Sequence, residues 1–381
     1  MFFSADFLRK RNSATPGPPD KSGPKPGGER MSFNWFHNPP PIGLDIGRAS
    51  IKLLQFESIA SADRVAAAAR FDLAPNPSND PQLLRDSITD AIRHALAASP
   101  FNAKQAAVTL SDHYITYTTQ PATTKPTHTP NLLQTAIPLD SATQPAQQLI
   151  ASADASLIQN IIAAIEAAGL TPIIIEPAPT VTARALTHAL RRRADLQATR
   201  RVIDLAATGT RLLILHGTQI AAYHQLEIGG NAINQAIAAH LGISPQDAAD
   251  FRRTDLKPTP TNTPTESDPH PTDSVLYAAS KPLDQLAESI QQTLATHHEL
   301  TNEPAPDTLL ATGGHAHETW LLEALQRRLN LTISEAAPLA NTDISNPAVT
   351  IDRRGALAGW TLAAGLALRN PLPKFGYTHA A

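Results

Sequence analysis

Residues 42–56 have the sequence IGLDIGRASIKLLQF, and this stretch decides the fold prediction. Two apolar segments flank a short turn of Gly47, Arg48, Ala49 and Ser50, which predicts two strands of a tight β-hairpin. A strand this apolar is expected to be buried, yet it carries Asp45 two residues before the turn. By itself this pattern is more typical of an ordinary hairpin with an exposed aspartate than of a binding site.

The small residues of this turn also suit an anion. A hairpin tip without large side chains leaves backbone N–H groups free to point at one spot, and such a nest binds phosphate oxygens. Ser50 adds a hydroxyl donor, and Lys52 is placed to face the same phosphates. Asp45 would lie close to a magnesium ion that bridges them, because hard cations prefer carboxylate and water ligands.

Composition excludes several classes of protein. The chain has 381 residues, of which 42% are hydrophobic and 17% charged, and its net charge is -3. This balance does not indicate a nucleic-acid surface. The absence of cysteine excludes disulfides and thiolate metal sites. No apolar run approaches the ~18–20 residues of a membrane span, and the first residues lack the pattern of a signal peptide. We therefore expect a cytoplasmic protein.

Proline-rich segments divide the chain. Residues 1–40 are rich in Pro and Gly and are predicted to be a disordered tail, and residues 257–273 a disordered linker. Between them, strand, Asp, small-residue turn, strand and strand occur twice, about 160 residues apart, with Asp204 in the place of Asp45. We predict a first lobe over 41–199, a second over 200–353 and a C-terminal helix, 354–370, that returns to the first lobe.

An inserted subdomain is predicted within the first lobe, around residues 106–170. Its middle part is rich in Thr, Pro and Gln, and it shows no obvious strand pair before the helix predicted near 157–168. Further helices are predicted over 181–193, ending in three arginines, and over 283–298.

A third turn completes the candidate site. Residues 309–316, LLATGGHA, predict a strand that runs into Gly313 and Gly314 before a helix. Two glycines allow close approach of the backbone to a flat ring such as adenine or to a ribose, and the helix supplies an N-terminus. Together with the two hairpins, this turn would hold one nucleotide between two lobes.

This order of motifs resembles the actin-like ATPase superfamily, and within it the PilM family of type IV pilus assembly. The likeness covers roughly residues 41–370 without the linker. Its carrying segments are residues 42–56, LEIGGNAINQAIAAHLGISPQDAAD at 226–250, LLATGG at 309–314 and AAGLALR at 363–369. The resemblance implies an α/β, actin-like (ribonuclease H-like duplicated) fold with two lobes, an inserted small subdomain and a nucleotide cleft.

The resemblance also implies ATP and Mg²⁺ as cofactors. Asp45 and Asp204 would lie near the metal, Asp204 also near the attacking water, and Glu176 would orient that water. Gly229 and Gly230 would approach the nucleotide from the second lobe, and Glu288 would reach the sugar. The implied nucleotide-binding residues are Asp45, Gly47, Arg48, Ser50, Lys52, Gly229, Gly230, Glu288, Gly313 and Gly314.

Two residues depart from the family pattern. Ala206 stands where the second loop usually has glycine, and its methyl group resists a positive φ. Arg48 stands where a small hydroxyl residue is common, and it would either neutralise phosphate or block the loop. The expected consequence is weak binding of nucleotide, or weak or absent ATPase activity.

By the same resemblance, the function is that of a scaffold. The family docks the N-terminal cytoplasmic segment of an inner-membrane partner of the PilN type, in a groove near the inserted subdomain, at the inner face of the inner membrane. Pilus motor or platform components are further candidate partners. The alternatives are an active ATPase or small-molecule kinase, and a membrane-tethered cell-division homologue, for which residues after 369 lack the amphipathic helix.

Histidine is abundant, with 14 residues, but its spacing does not indicate zinc. His297 and His298 are neighbours on a predicted helix, and His315 and His317 fall in a turn. We expect these side chains at the surface or at the edge of the nucleotide rather than around a metal ion.

Overall fold

The computed structural model describes residues 3–4, 39–60, 62–73, 80–125, 129, 131–140, 145–254, 271–303, 306–346, 349–351 and 357–369. Most of the predicted tail and residues 257–270 of the predicted linker lie outside these ranges. The described strands are β1 (Phe3–Ser4), β2 (Ile42–Ile46), β3 (Ser50–Phe56), β4 (Val65–Asp72), β5 (Gln105–Leu110), β6 (Thr116–Pro121), β7 (Leu132–Pro138), β8 (Gln147–Asp154), β9 (Thr171–Ile175), β10 (Thr199–Leu205), β11 (Thr210–His216), β12 (Gln219–Leu226), β13 (Thr308–Thr312) and β14 (Thr332–Glu335).

Helices alternate with these strands. They are α1 (Pro81–Ala98), α2 (Ala155–Ala167), α3 (Ala178–Thr187), α4 (Arg193–Gln197), α5 (Gly230–Leu241), α6 (Pro245–Thr254), α7 (Pro271–Thr301), α8 (Thr319–Leu329) and α9 (Thr361–Ala367), with a 3₁₀ turn at Leu357–Trp360. Within the described part of the chain, no helix combines the length and the apolar character that crossing a bilayer requires.

Three sheets organise the molecule. A six-stranded sheet has the order β1-β9-β5-β2-β3-β4, a five-stranded sheet the order β12-β11-β10-β13-β14, and a three-stranded sheet the order β6-β8-β7. In the first, β2 is antiparallel to β3 and parallel to β5. In the second, β10 is antiparallel to β11 and parallel to β13. The two larger sheets therefore repeat one arrangement, as the duplicated sequence pattern predicted.

Apolar burial fixes the helices on these sheets. Ile88 and Ile92 of α1 pack with α2 against the six-stranded sheet, and α5, α7 and α8 pack against the five-stranded sheet. The C-terminal helix α9 lies against β2. A Cβ atom added to Gly43 would be 2.1 Å from the carbonyl oxygen of Ala363, so only glycine permits this close contact.

The three-stranded sheet corrects the prediction that residues 118–169 lack a strand pair. Strand β6, TYTTQP, is polar and only partly buried, so its second half carries no apolar alternation. Strand β7 buries alternate residues, whereas β8 buries three in a row, residues 149–151. Ile137 and Leu149 pack with Leu213 of the five-stranded sheet. The sequence YITYT at 114–118 predicts a strand here, and the observed strand starts two residues later, at Thr116.

Other element boundaries also differ from the predictions. Helix α3 ends at Thr187 rather than at Arg193, so the three arginines do not form its last turn, and Arg193 begins α4. Helix α7 begins at Pro271, inside the predicted linker. Residues 3–4, assigned to the disordered tail, form β1 and pair with Ile174 and Ile175. Helix α6 and strand β14 were not predicted.

Candidate functional site

A cavity of about 1360 Å³ is lined by residues from both larger sheets. Three loops bound it: the turn between β2 and β3, the turn between β10 and β11, and the turn after β13. The sequence-predicted residues that line it are Asp45, Gly47, Arg48, Ser50, Lys52, Asp204, Gly313 and Gly314. The structure thus brings the three predicted turns together although they are distant along the chain.

The first hairpin presents a buried ion pair. Its tip is tight, because the Gly47 N–H donates to the Ser50 carbonyl at 3.0 Å. Behind it, Asp45 and Lys52 are paired across β2 and β3, with the Lys52 Nζ 3.9 Å from an Asp45 oxygen. Burial raises the pKa of Asp45 and lowers the pKa of Lys52, and each partner's charge works against that effect. The pair is therefore costly to hold without a further polar ligand.

The second hairpin repeats this pair. Arg211 is paired with Asp204 across β10 and β11, and its guanidinium donates to the Asp204 carboxylate at 2.7 Å. In both hairpins the cation follows the aspartate by seven residues. That shared spacing could have identified Arg211, which the sequence analysis missed.

Arg211 also connects the cavity to the three-stranded sheet. Its guanidinium bonds to Asp112, which lies between β5 and β6, and the Tyr223 hydroxyl donates to the same Asp112 oxygen at 2.6 Å. The ring of Tyr117 on β6 packs 4.8 Å from that of Tyr223. Although burial would lower the pKa of Arg211, Asp112 and Asp204 raise it well above its ordinary value. Arg211 is thus a fixed positive charge beside the cavity.

The third loop is shaped by Gly313. Its φ is +94°, a conformation that residues with a Cβ rarely adopt, and an added Cβ would be 2.2 Å from the Asp204 Oδ1. Glycine here lets the loop lie directly on the second hairpin, where the His315 N–H donates to the Leu205 carbonyl at 3.1 Å. At Gly314, by contrast, an added Cβ would meet open space.

Ala206 does not strain the second loop. The described non-glycine residues with positive φ are Ala62, Asn131, Asn302 and Asn330, so Ala206 does not need the left-handed conformation. Its N–H donates to Gly209 at 3.2 Å, and its carbonyl accepts from Gly230 at 2.9 Å. The departure from the family pattern is accommodated by this loop.

Four predicted residues are not among the cavity's lining residues. Gly229 and Gly230 pack against the second and third loops. A Cβ atom added to Gly229 would be 2.4 Å from the Gly209 N, and one added to Gly230 would be 2.2 Å from the His315 Nε2. They shape the second and third loops instead of facing a ligand. Glu288 lies on an exposed face of α7.

Glu176 lies in a different environment from the one predicted. Its side chain is fully buried, and its carboxylate pairs with Arg184 at 2.5 Å and with Arg369 at 2.7 Å. Arg184 also donates to the Gly365 carbonyl of α9 at 2.8 Å. Through these two arginines Glu176 holds the C-terminal helix in place. Its carboxylate does not line the cavity.

A polar network supports the third loop from behind, and it was not predicted. His315, which lines the cavity, contacts Glu318 at 2.6 Å, and Arg252 contacts the same carboxylate at 2.6 Å. Burial would raise the pKa of Glu318, but the hydrogen bond from His315 and the charge of Arg252 lower it to about 2. The histidines of the HAH motif, His315 and His317, gave a partial indication of this network, because the sequence analysis placed them at the surface or at the edge of the nucleotide.

Charged residues of both signs line the cavity. Its lining contains five basic residues (Arg48, Lys52, Arg70, Arg211 and Arg253) and four acidic ones (Asp45, Asp72, Asp204 and Glu335). The basic groups of the first two hairpins face the loops whose small residues leave the backbone accessible. The lining therefore offers basic groups that could bind an anion and carboxylates that could bind a cation.

The sequence matches the protein family described as Type IV pilus assembly protein PilM over residues 135–371, more than half of the chain. The chain belongs to this family. Among solved structures, the "PilM-PilN type IV pilus biogenesis complex" is similar with a TM-score of 0.69 and 18% identity, over 86% of this chain and 98% of that chain. No curated protein matches the chain.

A second solved structure lies outside the PilM family. It is the ethanolamine utilization protein EutJ from Carboxydothermus hydrogenoformans, with a TM-score of 0.52 and 15% identity, over 87% of this chain and 89% of that chain. Identities this low show a shared fold and no more. The predicted fold class, an α/β fold of the actin type, is confirmed.

Proposed function

We propose that this PilM-family protein binds ATP in the cavity and acts as a scaffold in type IV pilus assembly. The observation that carries the proposal is the convergence of three small-residue loops on one cavity with two buried aspartate–cation pairs. The phosphates would lie between the first two hairpins, near Lys52 and Arg211. The adenosine would lie against the loop of Gly313 and Gly314, whose backbone is open at Gly314.

Magnesium fits the donor set, since Asp45 and Asp204 supply the carboxylate oxygens that Mg²⁺ prefers. When bound, the ion would neutralise phosphate charge. Each carboxylate already faces a basic side chain, Lys52 at 3.9 Å and Arg211 at 2.7 Å. We therefore propose that the metal enters with the nucleotide rather than ahead of it.

Slow turnover belongs to the same proposal. In the related ATPases the resemblance places a water-orienting carboxylate at the position of Glu176, but here two arginines hold that side chain. A nucleotide would then act as a ligand that fixes the relative position of the two larger sheets. The alternative, an active ATPase or small-molecule kinase, requires a different carboxylate to activate water or a substrate hydroxyl.

The proposed partner is the N-terminal cytoplasmic segment of an inner-membrane protein of the PilN type, because the similar PilM structure is a complex with PilN. The three-stranded sheet is the proposed docking region. Its strand β6 is at an edge of that sheet in the described part of the chain, and an extended peptide can add to such an edge. This partner would keep the protein in the cytoplasm, at the inner face of the inner membrane.

Nucleotide binding is tested by titrating the full chain with a fluorescent ATP analogue and Mg²⁺, followed by displacement with ATP. We expect Lys52→Met to lower the affinity at least tenfold, because a charge-assisted contact to phosphate is lost. Lys104→Met is the matched control, since Lys104 is exposed and distant from the cavity lining. Equal affinity for both variants, with folding verified by circular dichroism, would refute this site.

Partner docking is tested separately with a labelled peptide of the PilN-type N-terminal segment from the same genome. We expect saturable binding that Thr118→Pro in β6 weakens, because proline removes a backbone donor from the edge strand. Asp86→Asn, on the exposed surface of α1, is the control. Saturable binding that both variants retain would place the docking region elsewhere, and no binding would refute the proposed partner.

A further inference from the structure

A second polar cluster lies at the opposite end of the five-stranded sheet from the cavity. Asp204 and Thr210 mark the cavity end of β10 and β11, whereas His216 ends β11 and is paired with Thr199, the first residue of β10. The other members of the cluster are His297, in the last turns of α7, and Glu303, two residues after the end of this helix. None of the three is among the cavity's lining residues.

The chain turns sharply to bring Glu303 back toward the helix. Asn302 has a φ of +56°, and its N–H donates to the His298 carbonyl at 2.7 Å. This left-handed residue ends α7 in the way that asparagine commonly ends helices. The carboxylate of Glu303 then lies beside His297, six positions earlier, and faces His216 from the sheet.

The three side chains present one donor atom each to a common point. The His216 Nε2 lies 2.6 Å from the Glu303 Oε1, the His297 Nε2 lies 3.6 Å from the same oxygen, and all the donor atoms lie within 4.8 Å of one another. The His297 Nε2 is buried and has no hydrogen-bond partner. Burying a ring nitrogen without a hydrogen bond lowers the stability of the fold, and a bound ligand would remove this cost.

Neighbouring residues orient the cluster as outer partners orient metal ligands. Asp140 lies 3.4 Å from the His216 Nδ1, which leaves the Nε2 directed at Glu303. Arg201 lies 3.6 Å from the Glu303 Oε2, which leaves the Oε1 directed at the two histidines. A carboxylate behind a ligating histidine is a common feature of zinc sites, where it fixes the ring and strengthens the ligand.

We infer that His216, His297 and Glu303 form a binding site for a divalent transition-metal ion, with zinc as the expected occupant. Two imidazoles and one carboxylate are a ligand set of zinc, whereas Mg²⁺ and Ca²⁺ take oxygen ligands. Zinc–ligand bonds of about 2.0–2.1 Å in a tetrahedron need donor atoms roughly 3.4 Å apart, so movements of about 1 Å would complete the site. His216 is a quarter exposed, which leaves the fourth position open to water.

The metal would tie together three parts of the chain. Asp140 follows β7 of the three-stranded sheet, and its N–H donates to the Ile220 carbonyl of β12 at 2.7 Å. The site therefore lies where the three-stranded sheet, the five-stranded sheet and α7 meet. Its predicted role is structural, to hold this junction together.

The test is zinc binding by the full chain, freed of metal with a chelator. Zinc is titrated in competition with a chromophoric chelator, and thermal unfolding is followed with and without the ion. We expect one tight equivalent and a zinc-dependent rise in Tm. Both should be lost in His297→Gln and in Glu303→Gln, and both should persist in His94→Gln, whose ring lies on the exposed surface of α1 and stacks on Phe71.

Two results would overturn this inference. One is the absence of a tight equivalent in the folded wild-type chain. The other is zinc binding that His297→Gln and Glu303→Gln leave unchanged, which would assign it to other histidines. If His297→Gln fails to fold, His216→Gln decides, since its side chain is partly exposed and lies at the end of a strand.

Discussion

Asp45 and Asp204 show how one residue type is used twice in this molecule. Each aspartate is buried and lies near the end of a strand. Each is paired with a basic residue on the next strand of its hairpin. Two buried aspartates alone would repel each other across the cavity, and indeed the charge of Asp204 contributes to raising the pKa of Asp45. Lys52 and Arg211 make this arrangement tolerable, and bound phosphates with a metal ion would complete it.

The two adjacent glycines of the third loop are predicted to respond differently to alanine. Gly313→Ala should destabilise the fold and abolish ATP binding, because its Cβ would meet the Asp204 carboxylate and its φ is positive. Gly314→Ala should leave the free energy of unfolding within about 1 kcal/mol, since the methyl group meets open space. It should still weaken ATP binding if the adenosine lies there. Urea unfolding and nucleotide titration measure both effects, and equal stability of the two variants would contradict this assignment.

The pKa of Glu318 predicts a dependence of stability on pH. It is about 2, below the ordinary value of 4.5, so the ionised side chain stabilises the fold above pH 4.5 and this stabilisation is lost as the pH falls toward 2. The shift corresponds to about 3 kcal/mol. Glu318→Gln should lower stability at pH 7 and flatten the dependence below pH 5, whereas exposed Glu323→Gln should change neither. An unchanged slope in Glu318→Gln, measured by urea unfolding at several pH values, would contradict this role.

At the scale of elements, the C-terminal helix α9 is held to the six-stranded sheet by close backbone contact and by one buried carboxylate. Gly43 admits the helix, and Glu176 binds Arg184 and Arg369 on either side of it. In this structure Glu176 therefore links β9, α3 and the segment that follows α9.

Glu176→Gln is predicted to lower the free energy of unfolding by about 3 kcal/mol, because two partly buried arginines lose their counter-charge. ATP affinity should stay within twofold of the wild-type value, and any turnover should be unchanged. Chemical unfolding, nucleotide titration and a phosphate-release assay measure these quantities. Unchanged stability with lost turnover would instead assign Glu176 to water activation.

The element scale also shows what the sequence can predict. The hairpins at Asp45 and Asp204 were predictable because buried strands of this fold are short apolar runs that end in small residues. Strand β6 was predicted only in part, over 114–118, since its second half, TQP, is polar and carries no alternating apolar residues. The pairing of Glu176 with Arg369 was not predictable, because these residues are distant in sequence and no local pattern indicates such a contact.

At the scale of the whole molecule, the two larger sheets share a topology and meet at the cavity, and the three-stranded sheet packs on the five-stranded one. We propose that the lobes divide near residues 199 and 200, as the sequence predicted. Arg211 then joins the cavity to the inserted sheet through Asp112. A ligand between the lobes would fix their relative position and, with it, the surface offered to a partner.

The most direct test of the central claim, that three separate loops hold one nucleotide, is hydrogen exchange of the full chain with and without ATP and Mg²⁺, read by mass spectrometry. We predict slower exchange in three peptides that cover residues 46–52, 205–211 and 312–316, and no change in α1. Saturating ATP that leaves these peptides unchanged, or that protects only one of the loops, would contradict a shared nucleotide site.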